Sequence, residues 1–173
     1  MKFAVVMPLL MLAFAPQDIE KPGLVGKYWH LTHVMRKFPG EVIDQPCQFT
    51  RIDGMIHFDS LQGRGFMDVP CMEYIAVEWT GVLRVPRNGG YTFFLRSMDG
   101  SKLYLDGKLI VDNDGRHTVK EIASETIAMT AGDHDLRIEY FHNRLTRLVL
   151  SWKHGDSGRQ VIPSTALWHR ESP

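Results

Sequence analysis

Three short runs, residues 91–96, 103–105 and 109–111, set the pattern that the rest of the chain follows. Each is rich in strand formers, and in the first run aromatic and aliphatic residues alternate with Thr92 and Arg96. Asp106-Gly107 joins the second run to the third, and that dipeptide suits a two-residue hairpin turn because both of its positions need positive φ. The same parity recurs on both sides. In residues 74–85, Ile75, Val77 and Trp79 share one face, while Ala76, Glu78 and Thr80 take the other. In residues 135–141 the apolar face is Leu136, Ile138 and Tyr140, and in residues 147–153 it is Leu148, Leu150 and Trp152. Residues 23–29, 118–122 and 126–129 read as further strands, and Arg87-Asn88-Gly89-Gly90 is turn chemistry after Pro86. Beyond the N-terminal run no apolar stripe of helical spacing lasts for a full helix. The pattern therefore predicts an all-β sandwich or barrel of antiparallel strands, with Trp79, Tyr91, Phe93 and Leu105 in its core.

Residues 31–69 break the alternation. Gly40, Gly54, Gly63, Gly65, Pro39 and Pro46 punctuate them, and only residues 55–58 alternate, so a loop-rich insertion with one or two strands is expected. Residues 61–65 read as ordinary turns or as a flexible lip.

Charge and composition narrow the partners. A chain of 173 residues suits one domain, and its 20 basic and 20 acidic residues leave no net field for nucleic acid or an anionic membrane. Lys2 precedes an apolar run, residues 3–14, that ends in Ala13-Phe14-Ala15, the form of a secretory signal peptide over residues 1–15. Pro8 interrupts the run, which is shorter than the roughly 20 residues of a membrane span. Pro16 directly after the cut would hinder a peptidase, so the cleavage position stays open. Residues 16–22 then form a short polar lead and residues 23–170 the domain, in a protein that is secreted, periplasmic or on the cell surface. Cys47 and Cys71 are the only cysteines, and in an exported chain they pair most simply with each other. Closing that loop stabilises by on the order of 3 kcal/mol. Two separate buried thiols are the alternative.

Several segments resemble one family in the order in which they occur. Trp79-Thr80-Gly81, Gly90-Tyr91-Thr92-Phe93, Ser97-Met98-Asp99-Gly100, Leu103-Tyr104-Leu105-Asp106-Gly107 and Val111-Asp112-Asn113 are similar to the first half of the PA14 signature. Ala131-Gly132-Asp133-His134, Ile138-Glu139-Tyr140-Phe141, Leu148-Val149-Leu150-Ser151-Trp152 and Ile162-Pro163 resemble the second half. The resemblance implies a β-sandwich that binds carbohydrate or other surface partners without catalysing a reaction. In the family's yeast flocculin and epithelial-adhesin lectins, two consecutive aspartates joined by a cis peptide hold calcium at the matching turn. This chain resembles them at Asp99 and carries Met98 where the first aspartate would stand, which removes a charge and a hard ligand together. Asn143, followed by Arg144, resembles the lectins' asparagine in the loop after residues 136–141. The resemblance thus implies Asp99, Asn143 and Arg144 as ligand-binding residues, Asp99 and Asn143 as metal ligands, calcium as the cofactor and a cell-surface glycan as the partner. Two alternatives stand beside it. Asp99 only supports its turn by accepting backbone N–H groups, or the whole chain is a structural or protein-interaction module whose lectin site has decayed.

Other motifs fall away. Gly155-Asp156-Ser157-Gly158 is similar to the nucleophile segment of chymotrypsin-like proteases but lacks its partner segments. Asp112-Asn113-Asp114-Gly115 fails as an EF-hand, since Gly115 at the sixth position would put the first ligand on Ile110. The eight histidines lack zinc spacing. No catalytic residue is expected.

Overall fold

A computed structural model describes residues 19–42, 48–59 and 73–171. Two antiparallel sheets pack face to face. In the first, β5 (Ile75–Val85) and β11 (Gly132–His142) pair along their whole length, from Gly132 opposite Val85 to His142 opposite Ile75. β7 (Ser101–Leu105) and then β8 (Lys108–Asn113) extend the sheet beyond β11. The other edge of β5 is shared by β2 (Leu24–His30) and β14 (Leu167–Glu171), which carry β3 (Phe49–Asp53) and β1 (Ile19–Pro22) outside them. The second sheet is centred on β6 (Gly89–Ser97) and β12 (Arg147–His154). β9 (Lys120–Ala123) and β10 (Ile127–Met129) flank β6, and β4 (His57–Asp59) and β13 (Gln160–Val161) flank β12.

The alternation read from the sequence fixes the facing. Trp79, Tyr91, Phe93 and Leu105 are all buried, as are Leu136, Ile138, Tyr140, Leu148, Leu150 and Trp152. Trp79 lies at the centre, stacked on Phe58 at 5.6 Å between ring centroids and edge-on to Tyr28 at 5.9 Å. The Asp53 carboxylate lies against this core. Asp53 accepts from Trp79 Nε1 at 2.8 Å, Tyr28 Oη at 2.5 Å and Arg51 Nε at 2.8 Å, so its burial leaves no oxygen without a donor. Burial and the Asp53 charge push the Tyr28 phenol well above its usual range, which keeps it a donor. The Asp106-Gly107 turn forms as expected, with φ of 49° and 76°.

The structure departs from the sequence reading in two places. Ile19–Pro22, within the expected polar lead, is a strand that pairs with Trp168 to Glu171, because a free edge of β14 is available to its backbone. Residues 31–42, the start of the expected loop-rich insertion, pack on the outer face of the first sheet, where Met35, Phe38 and Val42 form a second apolar cluster with Trp29, Ala76 and Phe141. The expected strands in the insertion appear as β3 and β4. The signal segment 1–15, the turns at 61–65, Cys47 and Cys71 lie outside the described residues. Among the described residues no helix is long and apolar enough to cross a membrane.

Register places the functional end. Ser97 of β6, Asn113 of β8 and His142 of β11 are terminal strand residues, and their partners Leu148, Ser101 and Ile75 show that all three strands finish at the same end of the sandwich. The turns that follow them therefore converge.

Candidate functional site

Those three turns enclose a cleft of ≈ 410 Å³. Met98 and Asp99 come from the β6–β7 turn, Arg116, His117 and Thr118 from the β8–β9 loop, and Asn143, Arg144 and Leu145 from the β11–β12 loop. Asp99 sits at φ 58°, a left-handed conformation that aspartate tolerates better than most residues, and it can tighten the turn there. Main-chain bonds stitch the turns together. Asp99 N–H donates to His117 O at 3.0 Å, Met98 N–H to Arg147 O at 2.9 Å and Phe141 N–H to Gly100 O at 2.9 Å. Beneath them the buried Ser97 hydroxyl donates to Asp99 O at 2.8 Å and accepts from Asn113 Nδ2 at 3.0 Å.

The structure brings Asp99 and Asn143 together. Asn143 donates its backbone N–H at 3.0 Å and its side-chain amide at 3.2 Å to the same oxygen, Asp99 Oδ2. The other end of its bonding capacity goes to the segment packed outside: Asn143 Oδ1 accepts from Met35 N–H at 2.8 Å, and Nδ2 donates to Met35 O at 3.1 Å. That segment is fastened twice more, by Phe38 N–H to Asp114 Oδ1 at 2.9 Å and Arg116 N–H to Arg36 O at 3.0 Å. Asp99 Oδ1 has no protein donor among the described residues, and Asp99 lines the cleft. Arg116 and Arg144 are exposed and neither guanidinium makes an ion pair there. The His117 ring is held between two carbonyls, Thr118 O at 2.6 Å from Nδ1 and Asn113 O at 3.0 Å from Nε2. His142, beside Asn143, is buried, and burial pushes its imidazole down to about 4, so the strand end that delivers Asn143 carries a neutral ring.

The residues present do not fit calcium. The ion takes six to eight oxygens, mostly from carboxylates. Here the turn supplies one free carboxylate oxygen, Met98 supplies a thioether, and the Asn143 amide oxygen already accepts from Met35. The Met98–Asp99 bond is trans, and no group of three or more His, Cys, Asp or Glu side chains is placed to hold a metal among the described residues. Asp99 and Asn143, the expected metal pair, are hydrogen-bonded to each other in this structure.

Arg144 was legible as a wall residue only through its place after Asn143. Arg116, Thr118 and Leu145 were not singled out from the sequence, and His117 was expected only to hydrogen-bond within a loop, as it does to Thr118 O and Asn113 O. The available signal was the turn at residues 112–115, which brings the next loop back across the end of the sandwich.

With this geometry in hand, the comparisons with known proteins decide the family. The PA14 domain matches residues 39–166. This chain belongs to the PA14 family. The domain is 33% identical over 153 residues to the anti-sigma-I factor RsgI3 of Acetivibrio thermocellus, a match that covers 87% of this chain and 22% of that protein. A solved anti-sigma factor domain-containing protein is 28% identical, with a TM-score of 0.69 over 88% of this chain and 49% of the other. The PA14 sugar-binding domain from an RTX adhesin superposes with a TM-score of 0.69 at 18% identity, covering 86% of this chain and 98% of the other, which shows a shared fold. This PA14 domain thus spans about a fifth of the curated relative and about half of the solved one. Family and neighbours together support its reading as a binding module.

Proposed function

We propose that this PA14 domain is an exported, non-catalytic module that binds an acidic glycan in the Asp99 cleft without calcium. One observation carries the reading: a single cleft combines a carboxylate oxygen lacking a protein donor with two guanidiniums lacking a protein acceptor among the described residues. A uronate or sulfated sugar offers the complement, since its hydroxyls donate to Asp99 Oδ1 and its anionic group takes the planar fork of Arg116 or Arg144. The sugar-binding PA14 domain of the RTX adhesin supports the carbohydrate part of the reading. The similarity to anti-sigma factors favours a use in which glycan binding is sensed by a longer protein of which such a module is one part.

Calorimetric titration with polygalacturonate and alginate, set against neutral dextran and galactan, tests this. The acidic polymers should bind in the presence of a chelator, and Arg116→Ala and Arg144→Ala should each weaken them about tenfold, as the loss of one charge-assisted contact does. Equal binding of neutral and acidic polymers, or binding that needs calcium, overturns the reading.

A further inference from the structure

We propose a second saccharide site at the opposite end of the sandwich, built to take one uncharged sugar unit. β6 joins the two ends. Asp99 stands two positions past its last residue, Ser97, and Tyr91 lies near its start, so residues 91–97 separate the clefts by roughly 20 Å.

The second cleft has a volume of ≈ 320 Å³, about the share of ten liquid waters and the scale of one pyranose ring with its hydroxyls. The margins of the buried Tyr91 and Trp152 rings form its base, with ring centroids 5.4 Å apart, and the His154 ring lies 4.7 Å from Tyr91. The sequence makes room for that imidazole: Gly89 has φ 146°, and any Cβ there would collide with the His154 ring. Gly155, at φ 51°, then turns the chain and donates its N–H to Gly90 O at 2.9 Å. On the facing side, Tyr91 Oη donates to Arg87 O at 3.0 Å and fixes the β5–β6 turn.

The free bonding capacity of the cleft points to the ligand. His154 Nε2 faces Asn88 O at 3.3 Å, and a carbonyl only accepts, so Nε2 carries the ring proton and Nδ1 is left as an acceptor. Ser157 Oγ accepts from His154 N–H at 3.2 Å, which leaves its hydroxyl proton to donate. The Gln160 amide and the Arg87 guanidinium line the same space and have no hydrogen-bond partner among the described residues. Donors and acceptors thus alternate around an aromatic base. A neutral pyranose matches this, because each hydroxyl both donates and accepts while the ring offers an apolar face. An anion matches less well, because the Nδ1 lone pair would face it beside a single cation.

The site stands independently of the Asp99 cleft, and nuclear magnetic resonance can separate them. The ¹⁵N-labelled protein is titrated with methyl β-D-glucopyranoside, methyl β-D-galactopyranoside and methyl β-D-xylopyranoside. At least one should shift the amides of Tyr91, Gly155 and Gly158 saturably. His154→Phe, which keeps a ring and removes Nδ1, and Arg87→Ala should each weaken that binding about tenfold, while Asp99→Ala leaves it unchanged. A dispersed spectrum from each variant establishes that it is folded. The proposal is overturned if none of the glycosides shifts these amides, if the shifts lie only at residues 98–99, 116–118 and 143–145, or if binding survives His154→Phe undiminished.

Discussion

Asn143 directs two donors, its main-chain N–H and its side-chain amide, onto one oxygen of Asp99, and with the rest of that amide it grips the backbone of Met35. A residue that resembled a metal ligand is therefore the pin that couples the cleft to the segment packed outside the first sheet. Asn143→Ala removes all three side-chain bonds and strands the buried Met35 N–H and C=O, at a cost of about 3 kcal/mol. Urea unfolding should register that loss. Hydrogen exchange should at the same time speed up at residues 34–38 more than in the core strands, because their remaining ties are Phe38 to Asp114 and Arg36 to Arg116.

Trp79 is the residue in which apolar packing and a buried charge meet. Trp79→Phe keeps most of the packing against Phe58 and Tyr28 but removes a donor from Asp53, so it should cost about 1 to 3 kcal/mol. Trp79→Ala also opens a cavity and should cost about 3 to 5 kcal/mol. A near-zero loss for Trp79→Phe in guanidinium unfolding would mean that the Asp53 bond contributes nothing, and equal losses for the two variants would mean that the cavity does.

The strands were legible because each turns an apolar face to the core, so parity told Ile75, Val77 and Trp79 from Ala76, Glu78 and Thr80, although Ala76 and Glu78 are buried as well. The same parity held an unread signal. Trp29, Ala76 and Phe141 are apolar on the outward face, each beside an inward apolar neighbour, and together they mark an end where the outer face is also covered. Residues 31–42 could not be placed from sequence because their fastening depends on Asn143, Asp114 and Arg116, which lie 70 or more positions further along the chain. Asp99 and Asn143 were found through family likeness. Their relation was not, since whether an amide oxygen faces an ion or a backbone N–H is decided by which segment lies over it.

His142 sets an acid limit on stability. Unfolded, its imidazole titrates near 6.5; folded, burial pushes it down to about 4. Between those values the unfolded chain binds more protons, so the contribution is complete above pH 6.5 and is lost as pH falls to about 4, by roughly 3 kcal/mol in all. Unfolding midpoints measured across that window should fall less steeply in His142→Gln than in the parent. Parallel slopes would show that the ring takes up its proton without unfolding.

His134 acts in the opposite sense. Partial burial alone would lower its imidazole, but the hydrogen bond from Nδ1 to Asp106, the contact with Thr130 O and the nearby carboxylates together raise it above 6.5. The stabilisation is therefore fully present below pH 6.5 and disappears as pH climbs through the raised folded value. The difference in melting temperature between the parent and His134→Gln should be largest in mild acid and shrink in alkaline buffer. Salt should reduce it, because the Asp106 partner is largely exposed.

Met98→Asp tests whether the calcium chemistry of the lectins was lost by one substitution or by a change of architecture. If only a carboxylate is missing, restoring it should bring binding back, since each hard oxygen deepens affinity in a preformed cage. The geometry argues otherwise. The Asn143 amide oxygen accepts from Met35 N–H at 2.8 Å, Asp99 Oδ2 is taken by two donors, and the turn is already closed by the Met98 and Asp99 N–H bonds to Arg147 and His117. A new carboxylate beside Asp99 would add like charge without freeing those oxygens, so calorimetry should detect no calcium binding by Met98→Asp. Pairing it with a change at Met35 separates the causes. Met35→Pro deletes the N–H that occupies Asn143 Oδ1, and if the amide oxygen is the missing ligand, the double variant should bind calcium where the single one does not. Calcium binding by Met98→Asp alone would show that the Asn143–Met35 bond yields to the ion and is no barrier to it.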